Sequence, residues 1–120
     1  MTIQNTLISL GMWGEIAEQV VCGEVVTALT AAGSTQATAL PITASACIFG
    51  TVASGTGAVL TQTAAARVLV RNGGANALLV YAPVGGTMNG TLNGSLSIAT
   101  TKNALFVSAD GVNWYSILSA

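Results

Sequence analysis

Along most of this chain apolar and polar residues alternate in short runs, which is the pattern of half-buried β-strands. Beyond residue 24, segments rich in Val, Thr, Ile and Leu are broken by Gly, Asn and Pro at intervals of roughly ten residues, the spacing of an all-β sandwich or barrel. The pattern predicts strands over Val25–Thr30, Thr35–Leu40, Ile42–Val52, Ala58–Gln62, Arg67–Asn72, Ala77–Ala82, Ser95–Ala99, Ala104–Ala109 and Val112–Ile117. Arg67-Val-Leu-Val-Arg71 alternates most cleanly, with Arg67, Leu69 and Arg71 on one face and Val68 and Val70 on the other. Asn72-Gly-Gly-Ala-Asn76 then predicts a hairpin into Ala77–Ala82, and Asp110-Gly111 predicts a type I′ hairpin between the last two strands. Asn89-Gly90 and Asn93-Gly94 read as two tight turns in close succession.

Residues 1–24 follow a different rhythm. Leu7, Leu10, Trp13, Ile16 and Val20 recur at spacings of three and four, with Glu15, Glu18 and Gln19 between them. Gly11 and Gly14 weaken a helix by about 1 kcal/mol each relative to Ala. The expected organisation is therefore an N-terminal arm or short helix over 1–24, serving as a docking segment, and one β domain over 25–120. The expected fold class is all-β, an antiparallel β-sandwich or jelly-roll-like module.

Composition turns this pattern into a functional argument. Charged residues make up 6% of the 120-residue chain, against about 25% in an average globular protein. No formal charge lies between Val25 and Ala66. Thr, Ser, Gly, Gln and Pro interrupt every apolar run, so no membrane-spanning helix is expected, nor does a basic region precede an apolar one as in a secretory signal. A soluble monomer with a net charge of −1 has little to keep its copies apart, and such a surface is expected to be covered. An obligate oligomer or a component of a larger shell follows.

The same scarcity narrows the chemistry. With no histidine, Ser-His-Asp and Cys-His catalysis and most zinc sites are excluded. Only Asp110 among the four acids lies in the β region, and it sits in a turn, so paired-carboxylate catalysis is not expected. Three scattered cations make no basic patch for nucleic acid. Gly55-Thr-Gly57 and Gly73-Gly74 lack the Gly-Lys-Ser/Thr of a phosphate loop. Cys22 and Cys47 read as two buried thiols, with a bridge as the alternative. No catalytic residue, cofactor or metal is expected.

The expected contact residues are Trp13, Glu15, Glu18, Arg67, Arg71, Trp114 and Tyr115. Two arginines on one strand face cannot be core without partners, so that face is either exposed or meets acids, and acids are N-terminal or in another subunit. Glu15 and Glu18 are a solvated patch or the partners of those arginines. Trp13 reads as an anchor into a neighbouring surface. Trp114 and Tyr115 point to opposite faces of a regular strand, so one is core and the other surface, which counts against an aromatic sugar platform.

The chain also resembles the small structural proteins of tailed-bacteriophage particles. The resemblance is carried by the Thr-Ala-rich stretch Leu29–Leu40, by Val68–Tyr81 (VLVRNGGANALLVY), by Met88-Asn-Gly90 and by the closing Trp114-Tyr-Ser-Ile117. It spans roughly residues 27 to 117 and leaves 1–24 outside. It implies a compact β-sandwich or jelly-roll-like module, usually trimeric, on the outer surface of a virion. A capsid decoration or cement protein contacting the major capsid protein is the first reading. A tail, neck or fibre component is the second, and a carbohydrate-binding module is an alternative of another class.

Overall fold

The computed structural model describes residues 25–119, and every described element is a β-strand or a turn. The first six strands are β1 (Val25–Thr30), β2 (Leu40–Ile42), β3 (Ala46–Thr51), β4 (Gly57–Leu60), β5 (Ala66–Asn72) and β6 (Leu78–Tyr81). Successive strands alternate between two sheets. β1, β3 and β5 lie side by side in one, and β2, β4 and β6 in the other, all paired in parallel. The chain thus winds as a solenoid-like coil with a strand of each sheet in every turn. One coil takes roughly twenty residues, at the short end of solenoid repeats.

The coil then ends in strands that pair mostly antiparallel. β7 (Thr87–Met88), β8 (Thr91–Leu92), β9 (Ser95–Ile98), β10 (Asn103–Ser108) and β11 (Asn113–Leu118) complete the domain. β9 pairs antiparallel with β6, and β10 pairs antiparallel with β5 and with β11. The two-residue strands β7 and β8 extend the larger sheet beyond β11. The final orders are β1-β3-β5-β10-β11-β7-β8 and β2-β4-β6-β9.

One core lies between the sheets. The larger sheet contributes Cys47, Phe49, Val68, Val70, Ala104, Phe106 and Trp114, and the smaller one Ile42, Leu60, Leu78, Val80 and Ile98. With few aromatics available, alanines fill the close approaches: Ala31, Ala44, Ala58 and Ala82 are all buried.

The all-β expectation is met, with mixed rather than antiparallel sheets. Asn72–Asn76 is not a hairpin, because β5 and β6 belong to different sheets. It is a corner between sheets, organised by the fully buried Asn72. The Asn72 Nδ2 donates to the carbonyls of Asn76 and Ile98, each at 2.8 Å, and its Oδ1 accepts from the Gly74 N–H at 3.0 Å. Asn76 reaches the previous corner, its Nδ2 donating to the Val52 carbonyl at 2.9 Å. Gly74 is required by proximity, since a Cβ there would lie 2.6 Å from the Val52 nitrogen.

Two further expectations are corrected by the same winding. Residues 35–39 form a turn rather than a strand, tied by hydrogen bonds between Thr35 and Thr38, and pairing starts at Leu40. The run Ile42–Val52 is split at 43–45, where the chain crosses from β2 in one sheet to β3 in the other. Asn89-Gly90 is a two-residue hairpin between β7 and β8, both residues having positive φ as a type I′ turn demands. Asp110-Gly111 lies within a four-residue connection, 109–112, and only Gly111 of it has positive φ, so the expected type I′ turn is not formed.

Candidate interaction surface

Because β5 alternates strictly, Val68, Val70 and Asn72 enter the core and Arg67, Leu69 and Arg71 face outward. Cross-strand register extends that outward face over its neighbours. Leu69 stands opposite Ala46 of β3 and Leu105 of β10, Ala46 stands opposite Val25 of β1, and Leu105 opposite Ile117 of β11. The row Val25–Ala46–Leu69–Leu105–Ile117 is therefore apolar across five strands. Three of its members are well exposed, Val25 at 59%, Leu69 at 46% and Ile117 at 69%, and Ala46 and Leu105 between them are half-buried. Scattered single apolar residues on a surface are ordinary, but five aligned neighbours form a contiguous patch.

Polar side chains border the row. On one side Arg71 lies between Ile48 of β3 and Asn103 of β10. The Arg71 Nη1 donates to Asn103 Oδ1 at 3.0 Å and to the Thr101 carbonyl at 3.3 Å, which lays the guanidinium along the patch edge. On the other side Arg67 stands opposite Val107, which stands opposite the exposed Tyr115. A groove of about 420 Å³ runs between Val25, Ala46, Ile48, Leu69 and Arg71. A second of about 210 Å³ continues past Leu69 along Leu105, Ile117 and Leu118.

Asp110 is the one acid among the described residues, and its turn occupies it fully. Its Oδ1 accepts from the N–H groups of Val112 and Asn113, both at 2.9 Å, and its Oδ2 from Asn113 Nδ2 at 3.0 Å. Those backbone donors, Asn113 first and then Val112, hold its carboxyl down at about 2. Ser108 supports the same turn, its Oγ accepting from the Gly111 N–H at 2.8 Å. Among the described residues no three His, Cys, Asp or Glu side chains gather as a metal site. No helix among them is long and apolar enough to cross a membrane.

The expected contact residues separate clearly. Arg67, Arg71 and Tyr115 share the outward face. Trp114 does not: it is fully buried, with its Nε1 donating to the Gly111 carbonyl at 3.2 Å, so it is a core residue and not a contact. Trp114 and Tyr115 point to opposite sides of β11, and they form no common platform for a sugar. Trp13, Glu15, Glu18 and Cys22 lie outside the described residues. Cys47 is buried, its Sγ directed at the Ala44 carbonyl at 3.6 Å. Sequence reasoning missed Val25, Ala46, Leu105 and Ile117, whose importance comes from alignment across strands.

Comparison of the chain with protein-family models, with curated proteins and with solved structures gave no match in any of the three.

Proposed function

We propose that this protein is a non-enzymatic structural subunit of a tailed-bacteriophage particle, best read as a trimeric capsid decoration or cement protein on the outer surface. The observation that carries the reading is the apolar row Val25–Ala46–Leu69–Leu105–Ile117, a surface suited to burial against protein rather than to exposure. The near-absence of charge agrees with it, since a surface destined for a partner need not repel its neighbours. The sequence resemblance supplies the virion setting, and its central segment, Val68–Tyr81, builds the patch strand β5 and the corner around Asn72. The jelly-roll-like module implied by that resemblance enters this proposal in looser form, as two sheets over one core with a parallel coil replacing part of the antiparallel winding.

In this reading the subunits act without turnover. Trimers contact the major capsid protein and hold neighbouring coat subunits together by burying apolar, hydrogen-bonded surface. A tail, neck or fibre component is the second reading, favoured by the parallel coil, because coils stacked along one axis suit an elongated shaft. Quantitative mass spectrometry of purified particles separates the two. Copies in the hundreds fit a capsid lattice, roughly a dozen or fewer fit a tail built on closed rotational symmetry, and absence from the particle refutes both. Light scattering after size exclusion tests the oligomer independently, and a monomer at micromolar concentration refutes it.

A further inference from the structure

The apolar row is bordered by arginines, and the acids that complement them lie elsewhere in the chain. Residues 25–119 contain Arg67, Arg71 and Lys102 but only one acid, Asp110, which is engaged in its own turn. Residues 1–24 contain Glu15, Glu18 and Glu24 and no Lys or Arg, together with Leu7, Leu10, Trp13, Ile16 and Val20. The two parts are complementary in charge and alike in carrying apolar groups that need cover. Two copies packed through the same face would instead bring Arg67 and Arg71 of both together, an arrangement of like charges that interfaces avoid.

We infer that residues 1–24 of one subunit dock on the outward face of the larger sheet of a neighbouring subunit, with apolar side chains on the Val25–Ile117 row and glutamates against Arg67 and Arg71. The inference rests on the reading of the protein as an obligate oligomer and names what holds that oligomer together. Length permits it. The row crosses five strands, roughly 19 Å at the spacing of strands in a sheet. Twenty-four residues reach about 36 Å even when wound as an α-helix, and further when extended. The segment enters the described domain at Val25, the first member of the row on edge strand β1, so its course begins at the rim of such a face. Arg71, braced by Asn103 and Thr101, presents a fixed cation at the border.

Two full-length charge-reversal variants test this, R67E/R71E on the face and E15R/E18R on the segment. Each alone is expected to weaken assembly by roughly tenfold or more at low salt, read as a shift toward monomer by light scattering, and less at high salt where screening mutes the effect. The milder R67Q/R71Q should give a smaller shift in the same direction. Mixing the two reversed variants is the decisive step, because each contact between unlike variants then joins opposite charges, and in a closed trimer two of the three contacts can be matched in this way. Partial recovery of assembly on mixing, beyond either variant alone, supports docking between subunits, and full recovery is expected when all four changes are in one chain. Recovery only when all four changes are in one chain shows the segment on its own face and overturns the inference, as do variants that assemble like the parent. A monomeric parent protein would overturn the oligomeric reading itself, which is a different result.

Discussion

Replacing Asn72 by alanine should be among the most damaging single changes available in this fold. The side chain is fully buried and makes three hydrogen bonds, two donated to the carbonyls of Asn76 and Ile98 and one accepted from the Gly74 N–H. Alanine leaves those three backbone groups without that partner in a site that water does not freely enter. Each such loss costs about 1–3 kcal/mol, so a total of about 3–5 kcal/mol is expected after partial relaxation of the corner. A domain of this size has about 5–15 kcal/mol in all. At roughly 4–8 °C per kcal/mol, even ~3 kcal/mol lowers the thermal midpoint by roughly 12–24 °C. Aspartate is the sharper probe. It keeps the shape and the acceptor for Gly74, but it turns a carboxylate oxygen toward two carbonyls. Its destabilisation should shrink as the pH is lowered and the carboxyl takes up a proton that it can donate. Thermal melts of the wild type, N72A and N72D at neutral and acidic pH measure all of this. A midpoint for N72A within about 4 °C of wild type, equivalent to roughly 1 kcal/mol, would refute the role of Asn72 as the organiser of the corner.

Other perturbations report on separate parts of the fold. Gly74→Ala places a Cβ 2.7 Å from two Val52 side-chain carbons and should cost about 1–3 kcal/mol by chemical denaturation, the range of overpacked cores. Trp114→Ala should cost about 3–5 kcal/mol in the same assay, whereas Tyr115→Ala should leave subunit stability within about 0.5 kcal/mol, since one residue is buried and its neighbour exposed. Asp110 has a carboxyl depressed to about 2, so its contribution is complete above the ordinary carboxylate range near pH 4 and is lost as pH falls through 2. Asp110→Asn should remove that acid-side loss, and an unchanged stability profile between pH 4 and pH 2 would count against the turn's role. Asn89→Val should disrupt the type I′ hairpin, because a β-branched residue is strained at the φ of 51° found there, and it should lower the thermal midpoint by a few degrees.

The sequence read well wherever a rule acts between near neighbours. Alternation in Arg67–Arg71 placed Val68 and Val70 in the core and the arginines outside, and a strict period of two cannot be satisfied otherwise. Asn89-Gly90 was legible because both residues tolerate the positive φ its turn requires. The coil was not legible, for two physical reasons. Corners between sheets and hairpins within a sheet draw on the same residues, so Asn72-Gly-Gly fits either one until the partners of β5 and β6 are known. The coils are also unequal. Val25 faces Ala46 and Ala46 faces Leu69, while Leu40 faces Ala58 and Gly57 faces Leu79, so no fixed repeat length marks the sequence. The apolar row was hidden for a related reason. Its members come from five strands, and only pairing register aligns them.

The antiparallel strands that end the coil have a consequence for how copies of the protein can associate. A parallel coil left open at both ends is a template on which a second chain can continue the sheets indefinitely. Here the four-residue antiparallel strand β9 forms the edge of the smaller sheet beyond β6, while β10 and β11 carry the larger one on to the two-residue strands β7 and β8. Edges that short offer little backbone for another chain to extend. Only the β1 and β2 side retains the parallel register of the coil, so growth through strand edges has a beginning but no matching end. Head-to-tail polymerisation through strand edges is thereby disfavoured, and any association of copies is left to side-chain surfaces.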